Sequence, residues 1–179
     1  MAGIIKVNQY QDFNGNTLFT SDGNGNLTTM KTNYPAFEAY LGSDQSVSHN
    51  TVTKVQINTE VFDTDSCYDN STNYRFTPTV AGKYYVYGSI ASYTGQINDN
   101  LWLGTNIYKN GSAYRETKFN MNNNYGEWLP GYIYAIIDMN GSTDYLELWG
   151  LSYAADSSGN VFQANTKGTF FGAYKLIGV

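Results

Sequence analysis

A chain of 179 residues with a net charge of −5, and ten Lys and Arg scattered singly, offers no basic stripe to a phosphate backbone, which argues against nucleic-acid binding. One Cys and one His exclude an intrachain disulfide and leave no His-rich metal site or catalytic triad. With 17 Tyr, 18 Gly and 21 Asn against 14% charged residues, the composition favours strands joined by tight turns, and the chain reads as all-β.

Residues 1–33 stand apart from the rest. Asn14-Gly15-Asn16-Thr17-Leu18 is echoed ten residues later by Asn24-Gly25-Asn26-Leu27-Thr28. Both Asn-Gly pairs and Asp22-Gly23 are hairpin signals between short strands such as Ile4–Val7 and Thr17–Thr20. This segment predicts a small β-appendage without a core of its own. No stretch of the chain approaches the ~20 apolar residues of a membrane span, and Met1–Tyr10 is too short and polar for a signal peptide, so membrane insertion is not expected.

From Tyr34 onward the pattern is strand after strand: Ala36–Leu41, Val52–Ile57, Tyr74–Thr77, Tyr84–Tyr93, Leu101–Tyr108, Ala113–Asn120, Tyr132–Met139, Tyr145–Leu151 and Thr169–Ile177. Short strands at this spacing predict an antiparallel sandwich or jelly roll over 34–179. The run Asn73–Tyr93 is its centre. Tyr84, Val86 and Ile90 share one parity and face a core, while Tyr85, Tyr87 and Ala91 offer a second apolar face. If Phe171 and Ala173 point inward, Phe170, Tyr174 and Leu176 join Tyr85 and Tyr87 on that second face. Such a surface needs cover, either from other copies of the chain or from a loop or the N-terminal segment of a monomer.

The spacing of Phe76, Gly82 and Tyr84 resembles the C1q/TNF-like jelly roll, although that family usually carries further aromatics where this chain has Val86 and Gly88. Ile107-Tyr108-Lys109-Asn110-Gly111, the turn and strand from Asn140 to Leu148, and Phe170-Phe171-Gly172-Ala173-Tyr174 follow in the family's order, so the resemblance spans 34–177. It implies a trimer-forming β-sandwich. The strand with Ile5-Lys6-Val7-Asn8, then Gly15-Asn16 and Asp22-Gly23-Asn24-Gly25, looks like the N-terminal attachment segment of bacteriophage fibre and virion proteins. Together these resemblances imply a homotrimeric surface protein of a phage particle, made in the host cytoplasm and joined to other virion proteins through residues 1–33.

Candidate chemistry is sparse. Asp63, Asp65 and Asp69 alternate in one loop and are candidate Ca²⁺ ligands, but the turn Gly and terminal Glu of an EF-hand loop are absent, and a solvated acidic loop is the plainer reading. Carboxylates such as Asp44, Glu60, Asp99, Asp144 and Asp156 mark no special pair, and no nucleophile elbow or phosphate loop is present, so no enzymatic activity is expected. His49 reads as a loop residue and Cys67 as a small, partly buried side chain or a reduced surface thiol. Trp102 and Trp149 sit in strand-like runs and are expected to pack between sheets or subunits. Trp128, with Tyr125, is placed at a loop edge, where the rings could stack on a host-surface glycan; this receptor-binding role is the alternative to a purely structural one.

Overall fold

The computed structural model describes residues 7–30, 35–96, 99–121 and 126–177. The expected first strand, Ile4–Val7, falls almost wholly outside them. The chain forms two compact units, Met1–Asn33 and Tyr34–Val179.

The first unit is an antiparallel meander of β1 (Gln9–Gln11), β2 (Thr17–Ser21) and β3 (Leu27–Met30). Its two turns are copies of one device. The Asp12 carboxylate accepts the N–H groups of Asn14 and Asn16 and the Asn16 side-chain amide, and Asp22 does the same with Asn24 and Asn26. The ten-residue echo in the sequence is therefore an echo of turn chemistry. Tyr10 stacks on Phe19 at 4.4 Å, while Phe13, Leu18 and Leu27 are exposed.

The second unit is a two-sheet sandwich. Its strands are β4 (Ala36–Tyr40), β5 (Gln45–Ser46), β6 (Thr53–Lys54), β7 (Thr59–Asp63), β8 (Tyr68–Asp69), β9 (Arg75–Phe76), β10 (Gly82–Tyr93) and β11 (Asn100–Lys109). They continue with β12 (Ser112–Asn120), β13 (Trp128–Met139), β14 (Leu146–Ala154), β15 (Val161–Phe162) and β16 (Phe170–Lys175). One sheet runs β13, β10, β16, β4, β7, with β15 and β5 extending it beyond the end of β16. The other runs β12, β11, β14, then the short β6, β9 and β8. All paired strands are antiparallel, and β10 pairs with β13 along its whole length, from Gly82↔Met139 to Tyr93↔Trp128.

Alternation decides the core. Tyr84, Val86 and Ile90 of β10, Leu103 and Ile107 of β11, Ile133 and Ile137 of β13, and Leu146 and Leu148 of β14 are buried between the sheets. Phe37 is the hub, stacked on Tyr68 at 4.4 Å and Phe76 at 4.7 Å, with Phe171 edge-on at 5.3 Å. Fully burying such rings is worth roughly 1.5–3 kcal/mol each before ordering costs.

Where the two sheets meet at one side, β13 is an edge strand. The Ala91 N–H and C=O both bond on the β15/β16 side, to Thr169 Oγ1 and Gln163 N–H, so its partner Pro130 directs its own N and O away from β10. The missing proline donor is thus on the free edge. There Thr117 of β12 donates its hydroxyl to the carbonyl of Tyr132 at 2.9 Å. Gly131 lets the sheets approach: a Cβ there would collide with Thr105 and Leu103.

Several expectations are corrected. Only Thr53–Lys54 of the expected strand Val52–Ile57 pairs in a sheet, and β13 begins at Trp128 rather than Tyr132 because an edge strand tolerates Pro130. β7 (Thr59–Asp63) and β8 were not anticipated. Trp102 and Trp149 do not pack between the sheets. They lie on the outer face of the β11/β14 sheet, where Trp102 stacks on Tyr153 at 5.4 Å and Trp149 on Tyr108 at 4.7 Å. Among the described residues no helix is long and apolar enough to cross a membrane.

A candidate interaction face

The outward side of the β13–β10–β16–β4 sheet gathers aromatic side chains in register. One row across the strands is Ile136, Tyr85, Tyr174, Ala36; the next is Tyr134, Tyr87, Gly172, Glu38; the third is Tyr132, Ser89, Phe170, Tyr40. Paired residues of antiparallel strands point to the same side, so these rows form one surface. At its end Trp128 pairs with Tyr93, whose hydroxyl donates to Glu127 at 3.0 Å.

Four expected interface residues belong to this surface. Tyr85, Tyr87 and Phe170 are half-buried by each other and by Tyr174, with ring separations of 5.4 Å for Tyr85 and Tyr174, 5.9 Å for Tyr85 and Tyr87, and 6.2 Å for Tyr87 and Phe170. Leu176 follows the end of β16 rather than lying within it, and its N–H bonds the Lys83 carbonyl at 2.8 Å.

Gly172 makes the centre of the face possible. A Cβ at that position would run into the Tyr87 ring, so the glycine lets Tyr87 lie across β16 and donate its hydroxyl to Glu38 at 2.7 Å. Burial first, then the Glu38 carboxylate beside it, pushes the Tyr87 phenol above its ordinary range and keeps it a donor.

Three residues of the face were not anticipated as such, and they are its most open part. Tyr132 is 63% exposed, Tyr134 64% and Ile136 57%. The signal was present: within Tyr132–Met139 both parities are apolar, with Ile133, Ala135 and Ile137 inward, and a strand apolar on both sides has two surfaces to cover. Trp128 is corrected from a loop edge to the first residue of β13, 45% exposed, while its companion Tyr125 lies outside the described residues.

The remaining candidates are dispersed. Asp63 and Asp69 spend their carboxylates on their own loop. Asp63 accepts the Tyr68 N–H at 2.8 Å, and Asp69 accepts the N–H groups of Ser71, Thr72 and Asn73 and the Asn73 side-chain amide. The Thr72 N–H, first among these, holds Asp69 well below the usual carboxylate range. Asp65 joins neither in a ligand set, and no metal-holding group of three His, Cys, Asp or Glu occurs among the described residues. His49 accepts the Ala154 N–H on Nδ1 at 3.3 Å, with its ring against Tyr153. Cys67 is buried, and burial pushes its thiol up to about 11.

No protein-family model matches the sequence, and no curated protein matches it. Solved structures do. The chain superposes on murine APRIL with TM-scores of 0.55, at 12% identity for the pH 8.5 crystal form and 14% for the pH 5.0 form, covering 80% of this chain and 99% of that one in both cases. The globular domain of the zebrafish complement 1qA protein superposes with a TM-score of 0.51 at 16% identity, covering 79% of this chain and 97% of that one. Identities this low speak to architecture alone. The chain has the antiparallel jelly-roll fold of the TNF and C1q globular domains.

Proposed function

We propose that the chain is a non-enzymatic structural protein that assembles as a homotrimer through the face of Tyr85, Tyr87, Tyr132, Tyr134, Ile136, Phe170 and Tyr174, as a surface component of a bacteriophage particle. One observation carries the assembly: a row-by-row aromatic surface on the central strands of the sandwich, on which Tyr132, Tyr134 and Ile136 are more than half exposed. Aromatic rings at this density are what closed oligomers bury at their contacts. The TNF/C1q-like fold fits a trimer, as the sequence resemblance implies. The particle assignment rests on the likeness of residues 1–33 to phage attachment segments and on their folding as a unit apart from the jelly roll. In this reading the protein decorates a capsid, or forms a head fibre or short fibre tip, and its function is assembly without turnover.

Light scattering tests the first half and truncation the second. Three chains of 19.9 kDa give about 60 kDa in solution. Removing residues 1–33 is expected to leave that mass unit intact, less the missing segments, and to abolish incorporation into particles. A monomer at micromolar concentration refutes the assembly, and a truncated chain that still enters particles refutes the attachment role.

A further inference from the structure

A ring of three copies imposes a condition that a face-to-face dimer does not. Each contact is heterologous, so the aromatic face of one copy meets a different patch on the next. The strip made by β12 and the free edge of β13 is such a patch. All nine residues of β12 are exposed, including Tyr114 and Phe119. The strip borders the face directly: Arg115 lines a groove with Tyr85, Tyr134 and Ile136, and Phe119 lines another with Pro130 and Tyr132.

Charge selects the register. Glu38 lies within the aromatic face, where its neighbour is the Tyr87 hydroxyl, and covering the face removes water from a carboxylate that then needs a cation. The ion pairs among the described residues are Lys54 with Glu147, Lys83 with Asp138 and Lys109 with Asp144, so neither Glu38 nor Arg115 is matched within its own copy. Of the other cations, Arg75 lies over Tyr145 and Lys118 over Trp102, while Lys167 lies over Tyr40, on the same face two residues along β4 from Glu38. Within one copy Glu38 on β4 is three strand spacings from β13, roughly 14 Å, and Arg115 lies at the β13 edge. A neighbour's strip laid on the face closes that distance.

We infer that Arg115 of one copy pairs with Glu38 of the next, seating each β12–β13 edge on the β4/β16 side of its neighbour's aromatic face; this rests on the trimeric reading above. Arg suits the position because its planar fork engages a carboxylate through two parallel bonds. Burial at the contact makes the pair a determinant of register as well as of affinity.

The test uses the full chain with Glu38→Arg and Arg115→Glu, singly and together, followed by sedimentation across a concentration series. Each reversal alone is expected to weaken assembly by at least about tenfold, and the double reversal to restore it to near the wild-type level. Two single reversals indistinguishable from wild type, or a double reversal no better than either, overturn the pair while leaving the trimer standing. A wild-type monomer overturns both. A second readout does not depend on reversed charges: chains carrying Glu38→Cys and chains carrying Arg115→Cys are assembled together and treated with a short bis-maleimide. A linked pair of chains is expected from the mixture and not from either variant alone, with Cys67 buried in all of them. A trimer of these variants that gives no linked product overturns the inference.

Discussion

Ile133 and Tyr134 are consecutive residues of β13 on opposite sides of one sheet, so replacing them has opposite consequences. Ile133 is 1% exposed and fills the sandwich, so Ile133→Ala is expected to cost the fold about 2–5 kcal/mol. Tyr134 is 64% exposed, so Tyr134→Ser is expected to leave the isolated subunit within about 0.5 kcal/mol of wild type. Its cost falls on assembly. A tyrosine buries roughly 150–250 Å² when covered, of which about 100–160 Å² is still bare here, worth up to about 2.5–4 kcal/mol at ~25 cal/mol per Å². Ordering costs reduce this, and at least a tenfold weakening of the trimer remains, about 1.4 kcal/mol. Sedimentation over a dilution series measures the second effect, and urea unfolding at a concentration where all variants are monomeric measures the first. A Tyr134→Ser chain that keeps wild-type mass at every dilution, or that unfolds as early as Ile133→Ala, refutes the assignment of the face.

Phe37→Ala removes the ring shared by Tyr68, Phe76 and Phe171, and is expected to destabilise the jelly roll by about 3–5 kcal/mol in urea; a loss below about 1 kcal/mol contradicts its place as hub. Cys67, with its thiol pushed up to about 11, is expected to resist iodoacetamide at pH 8 in the folded chain and to react once urea unfolds it, so rapid labelling without urea contradicts the burial. Asp69 has a folded-state pKa below its unfolded value of about 3.9, so its contribution is complete above that pH and fades as pH falls through the lowered value. Asp69→Asn is accordingly expected to flatten the acid limb of stability below about pH 4, and an unchanged limb removes Asp69 from the account.

The jelly roll was legible because alternation is unambiguous where one side of a strand is a dry core. Tyr84, Val86 and Ile90 share one parity, and β10 came out within two residues of its expected span. The half of the face on β10 and β16 was readable for the same reason, since Tyr85, Tyr87, Phe170 and Tyr174 share the opposite parity. Its other half, Tyr132, Tyr134 and Ile136, lay inside the expected strand but was not read as a second apolar side, and Pro130 hid only the first four residues of β13, Trp128–Gly131. A proline reads as a break in a strand, and only the absence of a neighbour beyond β13 makes it harmless, which is a fact of sheet order that sequence spacing does not carry. Trp102 and Trp149 were expected between sheets or between subunits, and only the first alternative fails. A tryptophan flanked by leucines suggests a core, yet Leu103 and Leu148 take the inward positions and leave the indoles outside, stacked on Tyr153 and Tyr108. The short β5, β6, β8 and β15 pair through two residues each, too few for any periodicity to register.

The guarded flank of β13 bears on how such a protein behaves when made in quantity. A twelve-residue strand with a bare row of backbone groups is a template for recruiting a foreign strand, and from there for fibrillar aggregates. Pro130 withholds a donor on that row and the Thr117 hydroxyl already occupies an acceptor two residues on, so the flank gives an incoming backbone no unbroken ladder. In the proposed assembly, cohesion between copies then rests on side chains, which match one shape and then stop, and a crowded pool of newly made subunits is steered away from runaway growth.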